Sequence, residues 1–347
     1  MDVLKATVTI SSALLLSSCQ VSYLVKSAYN QLSIMNSQET LDEALKNPKL
    51  TPEQKRKIQL AQEAREFAEQ SLSLKATKNY TSFVLLDRPY VTYVVSAAPK
   101  WKLEAYKWHY PIVGAMPYKG FFNELDAKKE EENLKQENLD TYMRGVSAYS
   151  TLGWFKDPLL SSMLQYKDYD LVNTIIHETV HATLYIKHEA DFNERMAVFM
   201  GNKGTEMFYL KKEGSESPTL LTVRNENADD KIFSAWLSTK LKKLEKWYQN
   251  VPAHEQTDNK RQQQFVQLQE DFKKEMLPQL KTESYKKFQN IKLNNARLLV
   301  YRTYMQDLGD FEKLYEKTGG DFKKFLEECK AFEKEKNPVE ALKDRVS

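Results

Sequence analysis

Three of the chain's five histidines fall within twelve residues. Two of these, His177 and His181, bracket Glu178-Thr179-Val180 in an H-E-x-x-H pattern. Side chains four residues apart on an α-helix stand one turn above each other. The two imidazoles can therefore converge on one point, as a divalent metal requires, and zinc accepts such nitrogens at about 2.0–2.1 Å. Glu178, directly after the first histidine, can lean over the ion. There it can take a proton from a metal-bound water, whose pKa falls to about 7. The chemistry so assembled is attack of water on a carbonyl carbon.

A catalytic zinc needs a third protein ligand and one open position. His188 and Glu194 are the candidates downstream. His188 lies seven residues after His181, with Lys187 before it and no glycine between, which is out of register for the metzincin pattern. Glu194 follows Asn193 at the start of a second helix, the arrangement gluzincins use. Asp191 and Glu194 also form a D-x-x-E pattern, so Glu194 has a second reading as a helix cap. His188 reads as a surface residue or as one that supports the ligands from behind, and His109 and His254 as structural.

The motif needs a rigid helix. Leu171, Val172, Ile175, Ile176, Val180 and Leu184 recur around it at helical spacing, with Asp168 or Asp170 as candidate caps. Upstream, residues 20–50 read as a helical lead-in. Thr51-Pro52-Glu53-Gln54 opens a helix that should run to about Leu74. The runs 82–86 and 91–95 are β-branched and aromatic, separated by Asp87-Arg88-Pro89, and read as strands. An irregular strand region over 110–122, a charged helix over 123–138 and a strand over 143–152 follow. From about Asp229 the apolar pattern is helical, broken at Pro252 as in a helical hairpin. Shorter helices follow near 293–306, 310–317 and 321–334. The expected fold is α+β and mostly helical: a small β-sheet beside a zincin-type helix, then a helical C-terminal region. The expected division is residues 1–18, 19–228 for the catalytic part and 229–347 for helices packed on it. The segment Val146–Leu152, bracketed by Gly145 and Gly153, reads either as an edge strand on which a peptide substrate pairs or as a core strand.

The chain has 347 residues and a net charge of +3, with 51 basic and 48 acidic side chains, so no electrostatic case for nucleic acid exists. Ten glycines and 11 prolines leave tight turns scarce, which favours helices over a many-stranded sandwich. Near the start, Lys5 precedes an apolar stretch from Ala6 to Leu16 that is too short to span a bilayer. Leu16-Ser17-Ser18-Cys19 then resembles a lipobox. That resemblance implies a lipid on Cys19, a mature chain beginning there, and a protein held at a membrane surface. Gln20 after the cysteine favours the outer membrane of a diderm bacterium. Cys329 is left without a disulfide partner.

The stretches Trp108–Gly114, Pro117–Phe122, Gly145–Leu160, Ile176–His181 and Phe192–Glu194 resemble, in this order, the predicted zinc aminopeptidases among bacterial lipoproteins, a gluzincin-like family. The A-Y-S-T-L-G-W-F-x-D-P stretch beginning at Ala148 is specific to it, and the resemblance runs from the lipobox to about Phe325. It implies a secreted, lipid-anchored metallopeptidase that binds one Zn²⁺ through His177, His181 and Glu194, with Glu178 as base and a peptide as substrate. Thermolysin-type gluzincins place an aspartate four residues after the ligand glutamate, and here that position is Val198. Asp157 is the substitute candidate for orienting a zinc histidine. Tyr149, Tyr301 and Tyr304 are candidates for donating to the oxyanion or substrate. No residue of the sequence marks the anion that an aminopeptidase needs for the substrate's α-ammonium. Two other functions fit the same sequence: an envelope endopeptidase with the same zinc site, and a non-catalytic lipoprotein that binds a partner through its helical half.

Overall fold

The computed structural model describes residues 22–110, 114–148, 156–304 and 308–347, with the backbone alone at 303 and 304. Cys19, Tyr149 and most of the expected strand beyond Val146 lie outside these residues, as does the side chain of Tyr304.

Helix α1 covers residues 22–36. After β1 (Glu39–Thr40), the short α2 (Leu41–Lys46) is closed by a Thr40–Glu43 capping box. Helix α3 (Pro52–Gln70) opens as its sequence dictates. The Thr51 hydroxyl accepts from Gln54 N–H, and the Gln54 side chain accepts from Thr51 N–H. It stops short of Leu74 because Ser73 adopts φ 55°, which no helix continues.

The strands are β2 (Ser82–Val84), β3 (Thr92–Pro99), β4 (Trp108–Tyr110), β5 (Gly114–Met116) and β6 (Lys119–Phe121). After helix α4 (Glu124–Gln136) come β7 (Leu139–Val146) and β8 (Leu159–Leu160). They form three small sheets, ordered β1-β2-β8, β6-β3-β7 and β4-β5, where the sequence predicts one. Although β2 and β3 follow each other in sequence, they do not pair. β2 takes β1 antiparallel and β8 in parallel. β7 begins at Leu139, four residues earlier than expected, because Asn138 at φ 62° turns the chain out of α4. It then pairs along the whole of β3, from Pro99↔Leu139 to Thr92↔Val146. Gly145 has a packing reason. A Cβ there would lie 2.3 Å from the Tyr90 ring, which covers it.

Helix α5 (Asp168–Thr183) carries the motif. Its cap position is Lys167, with no side-chain cap. Asp168 is engaged instead by Arg56 of α3 at 2.7 Å, which ties the two helices together. Then come α6 (Ala190–Glu213), α7 (Pro218–Asn250), α8 (Asp258–Asp271), α9 (Asn295–Tyr304), α10 (Gly309–Lys317), α11 (Phe322–Ala331) and α12 (Pro338–Val346). Helix α7 runs unbroken through residue 228, where the sequence suggests a boundary.

Two main cores result. The first joins α3, α5 and α6 to α10, α11 and α12, so the C-terminal helices return to the motif. There Phe199 meets Phe311 and Phe325, and the Cys329 thiol is buried and free. The second core lies between α7, α8 and α9. Arg261 of α8 links it to the sheets by donating to Asp140 of β7, whose carboxylate also accepts Asn295 N–H at the start of α9.

α5 and α6 approach closely at two α6 glycines. A Cβ on Gly204 would sit 2.8 Å from Leu72 and 3.0 Å from Ile176, both fully buried. Gly204→Val should therefore lower stability by about 1–3 kcal/mol through overpacking, read as a shift in urea midpoint at constant slope. Alanine is a weaker test, because helix propensity returns about 1 kcal/mol.

Two carboxyls near the α5–α7 contact are strained by burial. Asp170 is pushed up to about 6 from 3.8 by burial and then by the Glu226 charge. Asp230 is likewise pushed up to about 6, by burial first, despite a hydrogen bond from Tyr285. Between these values the folded chain holds protons the unfolded chain has lost, so stability falls as pH rises through the window. Asp170→Asn with Asp230→Asn should gain stability relative to the parent as pH rises from 3.8 to about 6. Parallel urea midpoints across that range would contradict this.

Candidate metal centre

The motif histidines sit in the last two turns of α5, where Val180 and Ile176 are fully buried beneath them. His181 Nε2 lies 3.1 Å from His177 Nε2, so both rings aim the same nitrogen at one point. The turn into α6 supplies the third group. Asn193, wholly buried, accepts Ile186 N–H through its side-chain oxygen and donates to the Ile186 carbonyl, both at 2.8 Å. This bracket fixes the α5–α6 connection, and the next residue, Glu194, is delivered to the histidines. Its Oε2 is 3.6 Å from His177 Nε2 and its Oε1 is 3.3 Å from His181 Nε2. On the other side, Gly201 lets α6 close onto α5. A Cβ there would lie 3.4 Å from the Cβ of His177.

The three donors fit a small cation. In a tetrahedral site with ligands at about 2.0–2.1 Å, neighbouring donors stand about 3.3–3.4 Å apart. The observed edges of 3.1, 3.3 and 3.6 Å bracket that length. Among the described residues, His177, His181 and Glu194 form the group of metal-ligating side chains close enough to share an ion. Glu194 keeps 42 % of its side-chain exposure against 3 % for His181, so the cluster opens to solvent beside the carboxylate. Electrostatics point the same way. Burial alone would raise the Glu194 carboxyl, yet its pairing with both imidazoles holds it well below the usual carboxylate range. Burial would lower His177, but Glu194 and the neighbouring Glu178 keep it above its ordinary value. The site favours positive charge.

Glu194 does not cap its helix. The cap position of α6 is Glu189, and no side chain caps it. His188 is exposed, at φ 68° in the connection. His254 is also on the surface, its side chain 81 % exposed.

Residues 22–342 match the family described as Putative aminopeptidase. The chain belongs to that family. No match is found among curated proteins or among solved structures.

In this aminopeptidase-family chain, the surroundings of Glu178 hold residues its sequence does not announce. Glu178 Oε2 is buried with no hydrogen-bond partner among the described residues. Tyr80 and Tyr166 lie within range of its charge. Burial, then Glu178 and Asp157, push the Tyr80 phenol well above its usual range. Tyr166 is raised by burial, although a hydrogen bond with Ser147 opposes this. Tyr166 stands two residues before α5, a position that could have marked it. Tyr80 sits at φ 58° outside any periodic pattern.

Asp157 is placed next to Tyr80: its carbonyl accepts Tyr80 N–H at 2.7 Å, and its own N–H donates to Asn79. It does not hold His181, whose Nδ1 is buried and has no partner among the described residues. Tyr301 packs against Phe233 and Phe288 in the second core.

Proposed function

We propose that this chain is a zinc-dependent aminopeptidase, exported and held at the cell envelope, in the outer membrane, by a lipid on Cys19. One observation supports the zinc chemistry above all others: three donor atoms from two helices meet at the spacings of a zinc coordination edge. His177 and His181 would hold the ion through Nε2, and Glu194 through its carboxylate. Bound there, zinc supplies Lewis acidity toward a peptide carbonyl and toward water.

The chain's own groups then act in sequence. Glu178 accepts a proton from the attacking water and delivers it to the departing amine nitrogen. Tyr80, its phenol raised by burial and by neighbouring carboxylates, stays neutral at physiological pH and adds no charge beside that base. The opening at Glu194 admits the peptide. Tyr149 and Tyr304 are candidates for donating to the oxyanion.

Paired peptides with free and acetylated N-termini test the aminopeptidase assignment. Cleavage should be confined to the free form. Equal cleavage of both would make the chain an endopeptidase on the same catalytic groups, and cleavage of neither would leave a lipoprotein that binds a partner.

A further inference from the structure

Helix α1 is built inside out for a surface helix. Its inward face is modestly polar. Tyr23 donates its hydroxyl to the Gly120 carbonyl and packs on Phe121, followed by Ser27, Asn30 and the buried Ile34. Its outward face is apolar. Val25 is 63 % exposed, Tyr29 72 % and Leu32 55 %, with Leu24 at 44 % beside them. Positions 25, 29 and 32 fall on one helical stripe. Lys26 is the single charged residue between positions 20 and 38, in a chain that is 29 % charged, and it is turned toward Asp126 of α4. A surface helix ordinarily turns its charges outward, and a contiguous exposed apolar stripe marks an interaction site.

The stripe's position says what covers it. Ser22, the first described residue of α1, is three residues after Cys19. Three residues reach at most about 10–11 Å, so a lipid on Cys19 holds α1 against the headgroups. We propose that α1 lies flat in the bilayer interface, with Val25, Tyr29 and Leu32 at the acyl-chain boundary, as a second membrane contact beside the lipid. The proposal rests on the reading of Cys19 as the attachment site. The 15 described residues of α1 are too few to span a bilayer, and no helix among the described residues is long and apolar enough to do so. Tyrosine suits the headgroup level. An interfacial α1 also fixes which side of the molecule faces the membrane.

The test uses the chain from residue 19 onward with Cys19→Ser, which removes the lipid and keeps every described contact. Partition is measured by co-sedimentation with vesicles of phosphatidylethanolamine and phosphatidylglycerol, beside the same chain carrying Val25→Glu and Tyr29→Glu. The first should bind, and the glutamates should reduce the partition coefficient at least about tenfold. Both side chains are exposed, so the thermal midpoint should be unchanged, and a control off α1, Leu221→Glu at a residue 60 % exposed on α7, should bind as the parent does. Equal partition of parent and double variant overturns the proposal. So does a parent that self-associates through this stripe in gel filtration and ignores vesicles. Incorporation of labelled fatty acid into the full chain, lost with Cys19→Ser, tests the attachment site separately.

Discussion

Glu178→Gln should leave zinc in place and reduce kcat by about 10²–10⁴-fold, the usual contribution of a positioned general base. The reason lies in how this carboxylate is kept. One of its oxygens is buried without a partner among the described residues. An unsatisfied buried polar atom costs about 1–3 kcal/mol, and folding has no use for it there. Glutamine has nearly the same shape and cannot accept the proton. The variant should therefore be inactive while its thermal midpoint stays level or rises. Loss of both activity and stability would recast Glu178 as a structural residue. A fully active variant with zinc bound would remove it from the mechanism.

Glu194→Ala should weaken zinc binding by more than about 100-fold, since even removal of a group that only orients a ligand costs 10–100-fold. Two imidazoles 3.1 Å apart would remain, short of the three protein ligands a catalytic zinc requires. His188→Ala is the matched control. It removes the other candidate ligand from an exposed position and should leave zinc affinity and activity unchanged. Competition with a chromogenic chelator measures all three proteins. Should His188→Ala release the ion and Glu194→Ala keep it, the third ligand has been assigned to the wrong side chain.

The centre was legible in the sequence because its geometry is local. A four-residue spacing on a helix sets where two histidines point, and the capping residues of α3 set where that helix begins. Glu194 was only half legible. D-x-x-E also reads as a cap, and what places the helix start at Glu189 and Glu194 beside the histidines is the connection held by Asn193 and Ile186, a contact across the turn that carries no periodic signature. The sheets were less legible still. Phe83 pairs with Leu159 and Glu39, far along the chain in both directions. Strand propensity reports a half-buried surface but not its partner. The place of Tyr301 in the second core was hidden for a related reason. Aromatic spacing on a helix says that a ring is buried, and nothing about which of two cores buries it.

His181 Nδ1 is buried and has no acceptor among the described residues. The other nitrogen of the ring, Nε2, faces Glu194 at 3.3 Å, so Glu194→Ala also removes the polar contact that orients this imidazole.

The central claim is that three side chains grip one zinc ion. X-ray absorption at the zinc edge, on protein passed through gel filtration after zinc loading, tests it directly. The expected result is one zinc per chain with two imidazole nitrogens and a carboxylate oxygen at about 2.0–2.1 Å, and loss of that spectrum in His181→Ala. Protein that emerges without zinc, or an ion whose first shell contains no imidazole, would contradict it.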